Sequence, residues 1–227
     1  MHPLQNLEKP SIDSTDGILK LDGSTFSSIT LDEDALLEMA TDSDAFTTSS
    51  TTFTSITRNS GDAAVLSKIV RKGKSLAITG ATFTKWETKA GNGGALSITL
   101  AADSVLSLTG STFKECSASS TTTTAASPSS RSNEENTATG GAVYLELAAK
   151  PKSVTLKELT FTPNKAGSGN AMYVTGSDSS VVFNAEFFSS LDLSSATAGD
   201  FGCGDDVTRD DDEAAERGCL TRNRQSG

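Results

Sequence analysis

Residues 76–116 read LAITGATFTKWETKAGNGGALSITLAADSVLSLTGSTFKEC, one phrase said twice. The first copy is L-x-I-x-G-x-T-F-x-x-W and ends at Trp86. The second is L-x-L-x-G-x-T-F-x-x-C and ends at Cys116, with GGALSITL between them. Phe83 and Phe113 stand 30 residues apart. Self-similarity at a fixed period of this size marks a repeat architecture, and it has to be read before any single motif.

Working outward, six phenylalanines anchor copies of the phrase: Phe26, Phe53, Phe83, Phe113, Phe161 and Phe188, at spacings of 27, 30, 30, 48 and 27. The columns around them repeat in kind. Seven residues before each anchor come Leu19, Phe46, Leu76, Leu106, Val154 and Val181. Five before come Leu21, Thr48, Ile78, Leu108, Leu156 and Phe183. Three after come Ile29, Ile56, Trp86, Cys116, Asn164 and Leu191. One before come Thr25, Thr52, Thr82, Thr112 and Thr160, then Phe187. Alternation of apolar and small polar residues marks strands with one buried face. Recurrence of the same class at each column says that successive copies stack in register.

A second strand follows each anchor: GGALSITL (93–100), GGAVYLEL (140–147) and GNAMYV (169–174), with poorer copies in GDAAVL (61–66) and DALLEM (34–39). The pairs Gly93-Gly94 and Gly140-Gly141 fit a corner where no Cβ can be accommodated. One coil of two or three short strands cannot bury its apolar face alone, whereas stacked coils share a continuous core. Sandwiches and propellers also hold many short strands, but antiparallel partners reverse the order of contacts and do not require identical columns. The expected fold is therefore all-β, a single right-handed parallel β-helix of about six coils over residues 17–198.

The 48-residue gap holds a Ser/Thr-rich run, residues 117–139, expected to be a disordered loop extruded from one coil. Residues 1–16 read as a polar lead-in and 199–227 as a disordered acidic tail. The cluster Arg71-Lys72-Lys74 reads as a solvated turn.

Composition narrows function. A net charge of −10 argues against a nucleic-acid partner, which needs clustered positive surface. No apolar run approaches the ~20 residues of a membrane span, so no membrane insertion is expected. Residues 1–16 carry no basic n-region or apolar h-region, which leaves an intracellular protein or an internal piece of an exported one as the alternatives. Cys116, Cys203 and Cys219 make no metal spacing. Cys116 fills an apolar column and reads as a small buried hydrophobe. Cys203 and Cys219 could pair with each other, and nothing in the sequence decides it.

Carbohydrate cleavage needs paired carboxylates or a base with a metal. The sole histidine is His2, outside the coils. Glu87, Glu115, Glu146 and Glu158 lie nearest the regular coils, and Glu87 and Glu115 fall on adjacent ones, with no supporting third group in the sequence. The acidic tail lacks the ordered calcium-loop spacing. The sequence accordingly yields no catalytic, cofactor-binding or metal-ligating residue and implies no cofactor.

F-x-x-N/C followed by G-G-A-[ILV] resembles the repeats of chlamydial-type polymorphic outer membrane proteins. It also resembles large Ser/Thr-rich right-handed β-helix proteins of some protists. FKEC (113–116) with GGAV (140–143), FTPN (161–164) with GNAM (169–172), and FTKW (83–86) with GGAL (93–96) carry it. It covers roughly residues 17–192 and is pectin-lyase-like in architecture. Only Phe161 is followed by Asn at the third position, a departure from the pattern. The resemblance implies an adhesin-like or structural module at a cell surface, without catalytic residues, whose partners would be glycans or cell-surface proteins. The alternative is a pectin-lyase-like enzyme acting on acidic polysaccharides. No Asn-x-Ser/Thr sequon occurs, so glycosylation would have to be O-linked, and the 117–139 run is the obvious place for it.

Overall fold

A strand that repeats its apolar positions coil after coil satisfies its backbone most simply beside its own copy. The computed structural model describes residues 12–14, 18–39, 45–120, 137–176, 188–191 and 201–203. Every strand pair among them is parallel. The chain forms an all-β parallel β-helix with three sheets.

The leading sheet has six strands: Ile18–Asp22, Ala45–Ser49, Ser75–Thr79, Val105–Thr109, Ser153–Lys157 and Phe188–Leu191. The Phe sheet stacks Thr25–Leu31, Thr52–Arg58, Thr82–Thr88, Thr112–Lys114 and Thr160–Thr162, with Ser117–Ala118 also beside Thr82–Thr88. The trailing sheet runs through Ile12–Ser14, Leu37–Met39, Leu66–Val70, Leu96–Leu100, Val143–Leu147, Met172–Gly176 and Phe201–Cys203. The poorer copies of the second strand are thus true members: Leu37 pairs with Leu66, and Leu66 with Leu96.

The register follows the columns. Phe53 pairs with Phe26 and Phe83, and Phe113 with Phe83 and Phe161. Their rings form one ladder, with centroids 5.2, 5.2, 4.8 and 5.2 Å apart and planes within 12°. That spacing matches the ~4.8 Å between neighbouring strands, so the backbone ladder and the aromatic ladder share one pitch. Each such stack adds ~0.5–1.5 kcal/mol beyond its buried area.

From each of the first four anchors the inward positions step by three, then by two. Phe53, Ile56 and Arg58 are buried, as are Phe83, Trp86 and Thr88, and Phe113, Cys116 and Ala118. A regular strand cannot keep positions zero and three on one face, because its side chains alternate. The extra step falls on a left-handed residue two after each of the first four anchors: Ser28 (φ 56), Ser55 (φ 55), Lys85 (φ 58) and Glu115 (φ 55). In that conformation the residue turns the chain without flipping the alternation beyond it. A second left-handed site lies three before each anchor, at Gly23, Ser50, Gly80, Gly110 and Glu158. The corner before the trailing sheet uses Ala63, Gly93, Gly140 and Gly169 in the same way. A Cβ on the next residue, Gly141, would run into the carbonyl oxygen of Asn170. The two glycines of each pair thus do different work, one turning the chain and one admitting backbone contact.

The long gap is closed at its neck. The Thr137 amide donates to the Ser120 carbonyl at 3.3 Å, and the Ser119 amide to Thr88 at 2.9 Å. The stack therefore continues through the insertion, whose residues 121–136 lie outside the described residues, as do His2, Cys219 and the tail from 204 onward.

Two readings change. Phe188 is not a sixth anchor: it pairs with Val154 in the leading sheet, with a register shift before Thr155 that aligns Leu191 with Leu156. Phe161 is the last Phe of the ring ladder among the described residues. The stack also outruns the expected 17–198 boundary, because Ile12–Ser14 and Phe201–Cys203 each add a trailing-sheet strand. Ile12 aligns with Leu37, and Phe201 and Cys203 with Met172 and Val174, but three residues are too short a stretch for the period to be read in sequence.

Thr48 occupies a column otherwise filled by Ile78, Leu108 and Leu156; it is buried and its hydroxyl has no hydrogen-bond partner. Thr48→Val is expected to raise the unfolding free energy by about 1 kcal/mol, the cost of an unsatisfied buried hydroxyl. Leu108→Ala in the same column is expected to lower it by ~2–5 kcal/mol. Urea midpoints of the two variants check the pair, and shifts of the same sign would contradict the column.

Candidate functional site

Among the described residues, apolar side chains pack the interior between the sheets. Leu76, Ile78, Phe83, Trp86, Leu96, Ile98 and Leu100 of one coil are all buried in a single apolar cluster that continues through the coils above and below. Chemistry in the described part of the molecule therefore has to sit on its outer faces.

Thr48 apart, the buried polar side chains among the described residues find partners. Trp86 Nε1 donates to the carbonyl of Phe53 at 3.0 Å, Cys116 Sγ contacts the carbonyl of Phe83 at 3.8 Å, and Asn164 Nδ2 donates to that of Phe113 at 3.3 Å. Each occupies the same column and meets the anchor carbonyl of the preceding coil. Asn164 Oδ1 also accepts from the Cys116 amide at 2.9 Å. Burial pushes the Cys116 thiol from 9.0 up to about 12. It stays protonated at neutral pH and cannot serve as a nucleophile. Arg58 is buried at a corner, where it donates to the backbone carbonyls of Glu33, Asp62 and Ala63.

The four carboxylates weighed in the sequence are scattered, two of them together. Glu87 and Glu115 line one open depression of about 330 Å³ on the outer side of the Phe-sheet bend, with Ser55, Thr57, Lys85, Trp86 and Ser117. Lys85 is the third group that the sequence did not show: it stands two residues past its anchor, left-handed like Glu115 in the same column, and lines the depression with both glutamates. Glu115 also carries an exposed ion pair with Lys114 at 3.6 Å. Glu158 pairs with Lys157 at 3.3 Å on another edge. Glu146 belongs to the trailing sheet, where its Oε2 accepts from the Thr99 hydroxyl at 3.0 Å. Arg71-Lys72-Lys74 form the expected turn, bent at Gly73 (φ 72), with Lys72 3.7 Å from Asp103 across exposed surface.

The three outer faces differ in chemistry. The trailing face carries Tyr144 and Tyr173, stacked with centroids 6.2 Å apart. Burial first, then Glu146, Asp62 and Tyr173, push the Tyr144 phenol up to about 12. The leading face mixes small hydroxyls with Lys20, Asp22 and Lys157. The Phe-sheet face presents the threonine column and, two residues on, Ser27, Thr54, Thr84, Lys114 and Thr162. The column of threonines was legible in sequence; that it lies outside, beside a second hydroxyl column, is decided by the phase of the strand around the buried Phe.

Among the described residues no group of three or more His, Cys, Asp and Glu could hold a metal ion, and no helix is long and apolar enough to cross a membrane. Comparison of the chain with protein-family models, with curated proteins and with solved structures finds no match. Cys203 lies in a trailing-sheet strand opposite Val174, and its pairing with Cys219 falls outside the described residues.

Cys116 supplies a direct test of the packed interior. In a Cys203→Ser, Cys219→Ser background, thiol reagent at pH 8 is expected to label the denatured chain at once and the native chain only at the rate of unfolding. Because the folded value lies above the unfolded one, this thiol's contribution to stability is fully present below about 9 and is lost as pH rises toward about 12. Rapid native labelling would show Cys116 to be accessible.

Proposed function

We propose that the chain is a non-catalytic, adhesin-like surface module that works by presenting its outer sheet faces to an extended partner. What carries this reading is the solid interior: side chains from all three sheets fill it, leaving regular, in-register outer faces as the binding surface. Parallel pairing repeats each outward residue at the strand pitch, so weak contacts recur along the stack and can act together. The closed neck at Ser120 and Thr137 lets the coils stay in register whatever the inserted sequence does.

A second reading is favoured by one observation, the depression that gathers Glu87, Glu115 and Lys85. Carboxylates beside a base are the groups that acidic-polysaccharide cleavage uses.

One experiment separates the two. The chain is incubated with polygalacturonate and related acidic glycans, and in parallel displayed against glycans, matrix proteins and cells. The module reading expects saturable binding that survives the Glu87→Gln, Glu115→Gln double variant, with no new reducing ends or unsaturated products. Product formation that the double variant abolishes would replace it with the enzyme.

A further inference from the structure

We infer that the outer face of the Phe sheet is an ice-binding surface, its ligand the ordered water lattice of a growing ice crystal. This rests on the non-catalytic reading above and names the partner for one face. The triplets 52–54, 82–84 and 160–162 all read Thr-Phe-Thr, with Thr25 and Thr112 completing the first rank on the two other coils. In each, Phe points into the core and both flanking threonines point out. The pairing is in register from Thr25 to Thr160, so the outward residues form two ranks, five threonines in the first and Ser27, Thr54, Thr84, Lys114 and Thr162 in the second. Neighbours within a rank repeat at ~4.8 Å and the ranks lie ~6.6 Å apart, from the strand pitch and twice the rise per residue. Hexagonal ice also repeats its oxygen positions along two perpendicular directions of its prism faces, the shorter repeat close to the strand pitch and the longer somewhat wider than the rank separation.

Three further observations fit that partner rather than a soluble one. None of the rank threonines spends its hydroxyl on another described group, so the array is left to water. Lys114 is the one charged residue on the two ranks of a chain whose net charge is −10, and it leans to Glu115 at 3.6 Å. A face nearly free of charge complements an uncharged lattice, whereas a charged polymer would be met by neither sign. Left-handed residues three before each anchor, and two after each of the first four, limit the face to one short segment per coil. Threonine is stiff at χ1, so the array is held in place before contact and loses little entropy on it.

Purified full chain is tested on a single ice crystal in a nanolitre osmometer and in a recrystallisation assay, with albumin at equal concentration as the baseline. The expected result is faceted crystals, a measurable gap between melting and growth temperatures, and at least a tenfold loss of recrystallisation inhibition in Thr82→Tyr. Thr54→Tyr serves if Thr82→Tyr loses its cooperative melt. Ser107→Tyr on the leading face should leave the activity unchanged, and Lys114→Thr, which completes the second rank with a hydroxyl, should raise it about twofold or more. Ice growth equal to the albumin baseline from a chain with a cooperative melt overturns the inference, as does activity insensitive to both tyrosines. Adsorption to an insoluble neutral polysaccharide in place of ice assigns the array to a carbohydrate; it overturns this inference and leaves the non-catalytic reading standing.

Discussion

Parallel pairing in register is the constraint from which the rest of this molecule follows. Once a residue lies ~4.8 Å from its own counterpart on the next coil, every column becomes a one-dimensional packing problem. The aromatic column solves it with rings stacked 4.8–5.2 Å apart. The neighbouring column tolerates Trp86, Cys116 and Asn164 because each meets an anchor carbonyl of the coil before it. Thr48 meets nothing, and it is the one described residue with a buried unpartnered side-chain atom.

Stacking alone would give flat ribbons. The left-handed residues convert them into coils, and they do so at fixed places: three before each anchor, two after each of the first four, and at the corner into the trailing sheet. A left-handed conformation costs a non-glycine residue ~1–2 kcal/mol. Ser55, Lys85 and Glu115 adopt it because the strands on both sides are pinned by pairing, so relaxing one residue would cost an inward side chain its place. The same corners are where extra sequence can leave. The hydrogen bonds at Ser120 and Thr137 close the coil beneath the long insertion and keep Thr139 beside its bond partner Asn92.

With the interior committed to packing, the three faces are free to diverge. Hydroxyl ranks, a tyrosine pair and a mixed charged face share one scaffold, and each side chain is repeated or varied coil by coil without disturbing the core. A fold of this kind separates what must be conserved in kind, the inward columns, from what can be rewritten outside them.

The sequence by itself determined the coil, its period and its inward columns, because stacking in register writes the same residue class at the same interval. It also marked the glycine corners and the loop between Phe113 and Phe161. Tertiary structure alone decided the rest. Phe188 had the right residue and the right spacing for an anchor, yet it pairs with Val154, since at the end of the stack a strand settles on whichever edge its backbone reaches. Ile12–Ser14 and Phe201–Cys203 join the trailing sheet as strands of three residues, too short to show a period before the neighbouring strand is in place. Lys85 lines one depression with Glu87 and Glu115 at a left-handed step of the backbone, and a dihedral angle is not spelled in residue names. The threonines one before each anchor were visible as a column, but their place on an outer face depends on the buried Phe beside them. Periodicity is local and survives in the sequence; edges, phases and neighbours across coils exist only once the chain is wound.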